Sequence, residues 1–254
     1  MPEIISSFQD YENIYLITTI YDGPSLSDFK NENLSEKHIK FIIACIVQSF
    51  KEIREKQIIH RDLILSNVMM DNDNYFNLID FSFSVTYSNR KSKLLKCNSD
   101  KLNTPPEILN DREYDYNSDY FRLGYLIFFF IFKRNPWEVK QGKNLTELIE
   151  MYKLKGKYSE ELFDFLNRLI IINIKKRLGY KSIDELMNHP LFDGFDWKKL
   201  EKKQYISPFK YNKTKIKRQI CKSFIKNIDM IKRYEQFIRK EYYVKLIKNF
   251  DFPK

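Results

Sequence analysis

The chain has 254 residues, 43% of them apolar, and a formal net charge of +10. That length supports one large domain or two small ones, and the longest apolar run, Leu123 to Phe132, is too short to span a bilayer. Cys45, Cys97 and Cys221 show neither a disulfide framework nor metal-ligand spacing, and Met1 to Gln9 lacks the basic start and apolar run of a leader, so a soluble protein of the cytoplasm or another reducing intracellular compartment is expected.

Ile4 to Phe8 and Ile14 to Thr19 read as two short strands around a turn at Gln9–Asn13. Asp22-Gly23-Pro24 is a strong breaker. A long helix follows Ser35, which can cap it, with Glu36 in the first turn. Its apolar positions Ile39, Ile42, Ile43, Ile46, Phe50 and Ile53 recur every three to four residues. A loop at 60–67 comes next, then a hairpin turned by Asp71-Asn72-Asp73-Asn74 and a polar loop from Ser82 to Thr104. Asp119 to Phe132 is apolar nearly all round, the pattern of a helix inside a helical core. Further helices fit 145–153, 158–172 and 182–188, the last opened by a capping box of Ser182 and Glu185.

The richest stretch is IIHRDLILSNVMMDNDNYFNLIDFS, residues 58–82. It puts His60, Arg61, Asp62 and Asn67 in one loop and Asp80-Phe81 at the end of a strand–turn–strand. Phosphoryl transfer needs one carboxylate to accept the substrate hydroxyl proton and oxygen ligands to hold Mg²⁺ on the nucleotide. The His-Arg-Asp-x-x-x-x-Asn spacing, with Asp-Phe beyond it, resembles the catalytic and metal loops of a eukaryotic protein kinase. The resemblance implies Asp62 as the base, Asn67 and Asp80 as metal ligands, and Arg61 as the arginine that pairs with an activating phosphate. ATP and Mg²⁺ would be the cofactors.

The later motifs follow in the same order. Thr104-Pro105-Pro106-Glu107 resembles the segment that closes the activation loop. Asp119-Tyr120-Phe121-Arg122-Leu123-Gly124 resembles the start of the central buried helix, whose aspartate ties down the catalytic-loop backbone. Arg177 matches the arginine that pairs with the Glu107 position. His189-Pro190-Leu191-Phe192 and Phe195-Asp196-Trp197 are similar to the lobe end of AGC serine/threonine kinases, the group that includes the cyclic-nucleotide-dependent kinases. Ser207-Pro208-Phe209 and Asn249-Phe250-Asp251 resemble pieces of the tail of that group.

Departures are equally specific. By the resemblance, the first strand corresponds to the fourth small-lobe strand. No glycine-rich loop precedes it, and Lys30 is the first lysine of the chain. What remains of the nucleotide site would be the hinge with Thr19 and Tyr21, and Leu26 and Met69 beneath the adenine. Ile4, His60 and Phe81 would supply three members of an apolar column. Ile64 stands where these kinases carry a lysine near the transferring phosphate, and Ser82 replaces a glycine that follows Asp80-Phe81. Around Cys97, Ser92 and Ser99 are the nearby hydroxyls, with no phosphosite assigned.

Residues 198–254 hold 18 Lys and Arg against 5 Asp and Glu, while 1–197 hold 26 against 29. The charge break puts a boundary near Trp197 between a kinase-like domain, 1–197, and a basic tail, 198–254. In Lys215 to Ile247 apolar residues recur at mostly helical spacing among basic ones. Such a helix suits an acidic partner, a membrane surface or a calmodulin-like protein, or packs on its own lobe with a solvated basic face. Nucleic acid, the remaining candidate, is set aside.

The expected fold is α+β: a mainly helical protein-kinase-like C-terminal lobe, two residual small-lobe strands and a basic helical tail. Two functions stay open. One is a serine/threonine kinase acting on protein hydroxyls, weak or inactive as these 254 residues alone. The other is a pseudokinase that binds or scaffolds.

Overall fold

The computed structural model describes residues 2–12, 14–19, 21, 23–89, 104–109, 114–134 and 156–210. The expected helices at 145–153 and 215–247, the hydroxyls Ser92 and Ser99, Cys97 and the basic tail beyond Lys210 lie outside them. Pro24–Lys210 form one compact unit, and the N-terminal hairpin belongs to a second.

In the hairpin, β1 (Ile4–Gln9) pairs antiparallel with β2 (Ile14–Thr18), and the register is irregular between Ile4 and Ser6. Asp10 makes the turn by accepting from the Glu12 amide at 2.8 Å and from the Tyr15 hydroxyl at 2.8 Å. Phe8 stacks on Tyr15 at 4.8 Å.

In the larger unit, α1 (Glu36–Glu55) buries all six of the apolar positions that its periodicity marks. Ser35 sits at the N-cap but makes no capping bond, because its hydroxyl is 2.6 Å from His38 Nδ1. Glu36 reaches instead across the fold, accepting from the Ser159 amide and hydroxyl at 2.6 Å each.

Two small ladders follow α1. β3 (Ile58–Ile59) pairs with β6 (Val85–Thr86), and β4 (Val68–Met70) with β5 (Phe76–Leu78), all antiparallel. The Asp71–Asn74 turn is held by Asp71 Oδ1, which accepts from the Asp73 and Tyr75 amides at 2.9 Å each.

A short α2 (Pro106–Leu109) precedes α3 (Tyr116–Phe132), which is buried on nearly every side. Gly124 lets α3 approach α4 (Glu160–Leu169). A Cβ there would stand 2.7 Å from Ile170 Cγ2 and 2.9 Å from Leu169 Cβ. The α4 helix ends before the expected 172, because Asn173 caps the next turn by accepting from the Lys175 amide. Among the described residues no helix is long and apolar enough to cross a membrane.

α5 (Asp184–Met187) starts later than the capping-box pattern indicates. Ser182 bonds Asp184, and the Glu185 carboxylate accepts instead from the Gly179 amide at 2.9 Å. Gly179 has φ +91°, a conformation that favours glycine. After α6 (Trp197–Glu201) the chain returns to the hairpin turn: Lys203 pairs with Asp71 at 2.8 Å and Asp73 at 2.9 Å. Phe209 inserts between Phe29, His38 and Phe76 at 5.2, 4.9 and 5.0 Å.

Candidate active site

The loop between β3 and β4 carries the candidate residues, and its shape is imposed by α3. Asp119, 1% exposed, accepts from the His60 amide through Oδ2 at 2.8 Å and from the Arg61 amide through Oδ1 at 2.9 Å. Burial pushes the Asp119 carboxyl up from its ordinary value, against the pull of His60 and the two amides. The clamp holds Arg61 at φ +68°, a costly conformation for a residue with a Cβ.

His60 braces the loop from inside. Its Nδ1 accepts from the Asp62 amide at 3.3 Å, which leaves Nε2–H to donate to the Ile79 carbonyl at 3.1 Å. Its ring lies 4.9 Å from Phe81. Ser84 adds a hydrogen bond from its hydroxyl to the His60 carbonyl. Of the expected apolar column, His60 and Phe81 meet here, while Ile4 belongs to the other unit.

Asp62 is buried and its carboxylate is held from both sides. Asn67 Nδ2 donates to Oδ2 at 2.8 Å and to the Asp62 backbone carbonyl at 3.0 Å. Arg122 Nη1 lies 3.4 Å from Oδ1. With its amide nitrogen committed to Asp62, Asn67 turns its carbonyl oxygen the opposite way.

Asp80 is brought close in the fold by the β4–β5 ladder. Val68 faces Leu78, and the Ile79 amide donates to the Asn67 carbonyl at 2.9 Å, one residue before Asp80. Asp80 is exposed, at φ +61°. Its Oδ1 accepts from the Ser82 hydroxyl at 2.7 Å and amide at 3.2 Å. The left-handed residue of this turn is therefore Asp80; Ser82 is not among the positive-φ residues, so no glycine is required at 82. An amide oxygen and a carboxylate are hard oxygen donors, a set that suits Mg²⁺ completed by phosphates and water.

Leu26 is fully buried and Met69 half-buried. They meet where Ser25 bridges to Met69 and the Met70 amide donates to the Pro24 carbonyl at 2.9 Å. Thr19 and Tyr21 belong to the hairpin unit, where Thr19 bonds Glu3 through both its amide and its hydroxyl.

Arg177 and Glu107 form a two-pronged ion pair at 2.7 and 3.0 Å, with side chains at most 1% exposed. Arg177 also donates to the Asn117 and Ile171 carbonyls, and Ser118 donates to Glu107. The pair fastens α2 to the start of α3.

Sequence reasoning assigned no role to Arg122 or Tyr114. Arg122 Nη2 is 3.3 Å from the Tyr114 hydroxyl, and the Arg61 guanidinium lies 4.5 Å over the Tyr114 ring. The signal was present: Arg122 is the single charge in the apolar stretch Tyr120 to Phe132.

The model of the family described as "Protein kinase domain" matches residues 2–192. Human "Rhodopsin kinase GRK1" is 29% identical over 217 residues, covering 80% of this chain and 38% of the relative. Schizosaccharomyces pombe "Serine/threonine-protein kinase sck2" is 31% identical over 211 residues, covering 80% of this chain and 33% of the relative. Drosophila melanogaster "cAMP-dependent protein kinase catalytic subunit 2" is 24% identical over 214 residues, covering 81% and 60%. These relatives are AGC kinases. The first two are more than twice as long as the segment they share with this chain.

Proposed function

The chain belongs to the protein kinase domain family, and from that membership we propose that it carries the phosphotransfer centre of an AGC-type serine/threonine kinase. The observation that supports this most is the buried Asp62 carboxylate, fixed by Asn67 in a loop that Asp119 clamps. In this reading Pro24 to Trp197 is the larger lobe, β1 and β2 are small-lobe strands, and residues 198–254 are a basic tail suited to acidic partners or surfaces. Leu26 and Met69 are the adenine-site residues of the larger unit, and Thr19 and Tyr21 are those of the hairpin unit.

Asp62 accepts the proton of a serine or threonine hydroxyl on a protein substrate. The hydroxyl oxygen forms its bond to the γ-phosphorus of ATP as the bond to the β–γ bridging oxygen breaks, and ADP leaves. The Asn67 carbonyl oxygen and the Asp80 carboxylate would hold Mg²⁺, which would supply positive charge against the phosphates. Arg61, beside Tyr114, is the residue for a phosphate on the activation segment. Transfer by these 254 residues alone is weak, since no lysine precedes Lys30 to hold the phosphates.

A second reading, a binding module without turnover, is favoured by Ile64 and by the Ser82 hydroxyl engaged on Asp80 Oδ1. The discriminating experiment fuses a glycine-rich loop and lysine strand from a relative ahead of Met1. It then measures γ-phosphate transfer to a serine peptide library. Transfer that appears in the fusion and disappears with Asp80→Asn supports the kinase reading. A folded fusion that binds Mg·ATP but transfers nothing supports the second.

A further inference from the structure

We propose that Arg122 is a positioning residue for Asp62, supplying from α3 the cation that clamps the catalytic carboxylate. The loop offers no such charge: Leu63, Ile64, Leu65 and Ser66 fill every position between Asp62 and Asn67. Arg122 is 1% exposed, and a guanidinium buried that deeply is costly unless it meets an anion. The anion it meets is Asp62 Oδ1, at 3.4 Å, with the Tyr114 hydroxyl at 3.3 Å on the other nitrogen. The carboxylate is therefore gripped on one oxygen by Arg122 and on the other by Asn67. With one grip removed, the group is free to rotate about its Cβ–Cγ bond and the Asn67 hydrogen bond loosens.

The same geometry says where an alternative cation would go. Ile64 and Arg122 line one cavity of about 190 Å³ together with Leu126 and Phe129 of α3. A lysine at 64 would approach Asp62 through the space beside Arg122. The two positions would then be exchangeable sources of one charge, and both filled together would repel. This inference rests on the reading of Asp62 as proton acceptor, but the clamp itself is observable without turnover.

The test is proton exchange of the Asn67 side-chain amide, followed by NMR on the full chain. Arg122→Gln is expected to speed that exchange about tenfold, the size of loosening a charge-assisted hydrogen bond. Arg122→Lys and the double variant Arg122→Gln/Ile64→Lys are expected to restore most of the protection. Ile64→Lys alone is expected to destabilise the chain. Unchanged Asn67 exchange in a folded Arg122→Gln protein overturns the proposal. If Arg122→Gln does not fold, recovery of folding by Ile64→Lys supports it, and failure of both Ile64→Lys and Arg122→Lys to give a folded protein with a protected Asn67 amide overturns it. Phosphotransfer in the small-lobe fusion is read separately. An Asn67 response without transfer leaves the clamp and removes the kinase reading; transfer without an Asn67 response does the reverse.

Discussion

Asp119 and His60 are 59 positions apart in sequence, yet Asp119 Oδ2 accepts the His60 amide at 2.8 Å while its Oδ1 takes the Arg61 amide at 2.9 Å. One carboxylate thus sets two consecutive peptide planes, and the left-handed Arg61 lies between the clamp and Asp62. Asp119→Ala leaves two buried amides without an acceptor, each worth about 1–3 kcal/mol. Denaturant unfolding should show a loss of that order. Amide exchange at His60 and Arg61 should accelerate more than exchange in α1.

The Arg177–Glu107 pair predicts a different pattern. Removing one partner strands a buried charge, so Arg177→Met should cost about 3–5 kcal/mol. Arg177→Met/Glu107→Gln should cost much less than the two single losses added together. Additive losses in chemical denaturation would contradict the pairing as the source of the effect.

Lys203 and Asp71 give the pH dependence. Burial opposes the charged form of Asp71, but hydrogen bonds from Lys203, the Tyr75 amide and Asn77 outweigh it and hold the carboxyl below 3.8. Burial likewise opposes charge on Lys203, and bonds to Asp71 and Asp73 outweigh it and lift the ammonium above 10.5. A lowered acid stabilises the fold above its unfolded value and loses that contribution as pH falls through the lower folded value. A raised amine stabilises below its unfolded value and loses the contribution as pH rises through the folded one. Lys203→Met should therefore lower the melting temperature near neutral pH and have little effect well below 3.8 or well above 10.5. Asp71 is buried but Lys203 is 44% exposed, so solvent screens the pair and the loss at neutral pH should be about 1 kcal/mol. A difference independent of pH would remove the ion pair as its cause.

Phe209 ties the segment after α6 to the body. It is 6% exposed among aromatic rings, so Phe209→Ala should cost about 3 kcal/mol. Limited proteolysis should then cut the 202–210 segment faster, with α3 still protected.

Much of this architecture was legible before any coordinates. The Ile39-to-Ile53 periodicity of α1 and the unbroken apolar run of α3 are local signals, and both helices form where those signals lie. The loop motif is legible too, and the structure ties His60, Asp62 and Asn67 together in one loop. Bonds that depend on partners far along the chain were less legible. Glu185 serves the Gly179 amide rather than a capping box, and Ser35 is drawn to His38. Arg122 stands within a helix motif, but nothing in its neighbours indicates that its guanidinium ends at Asp62, 60 positions earlier.

If Asp62 accepts the proton in a phosphoryl transfer, the small-lobe fusion needs its carboxylate to move the γ-phosphate of ATP to a serine peptide. In Asp62→Asn that rate should fall about 10²–10⁴-fold below the parent's, with the fold and Mg·ATP affinity retained. Transfer at the parent rate in Asp62→Asn would remove Asp62 from the reaction.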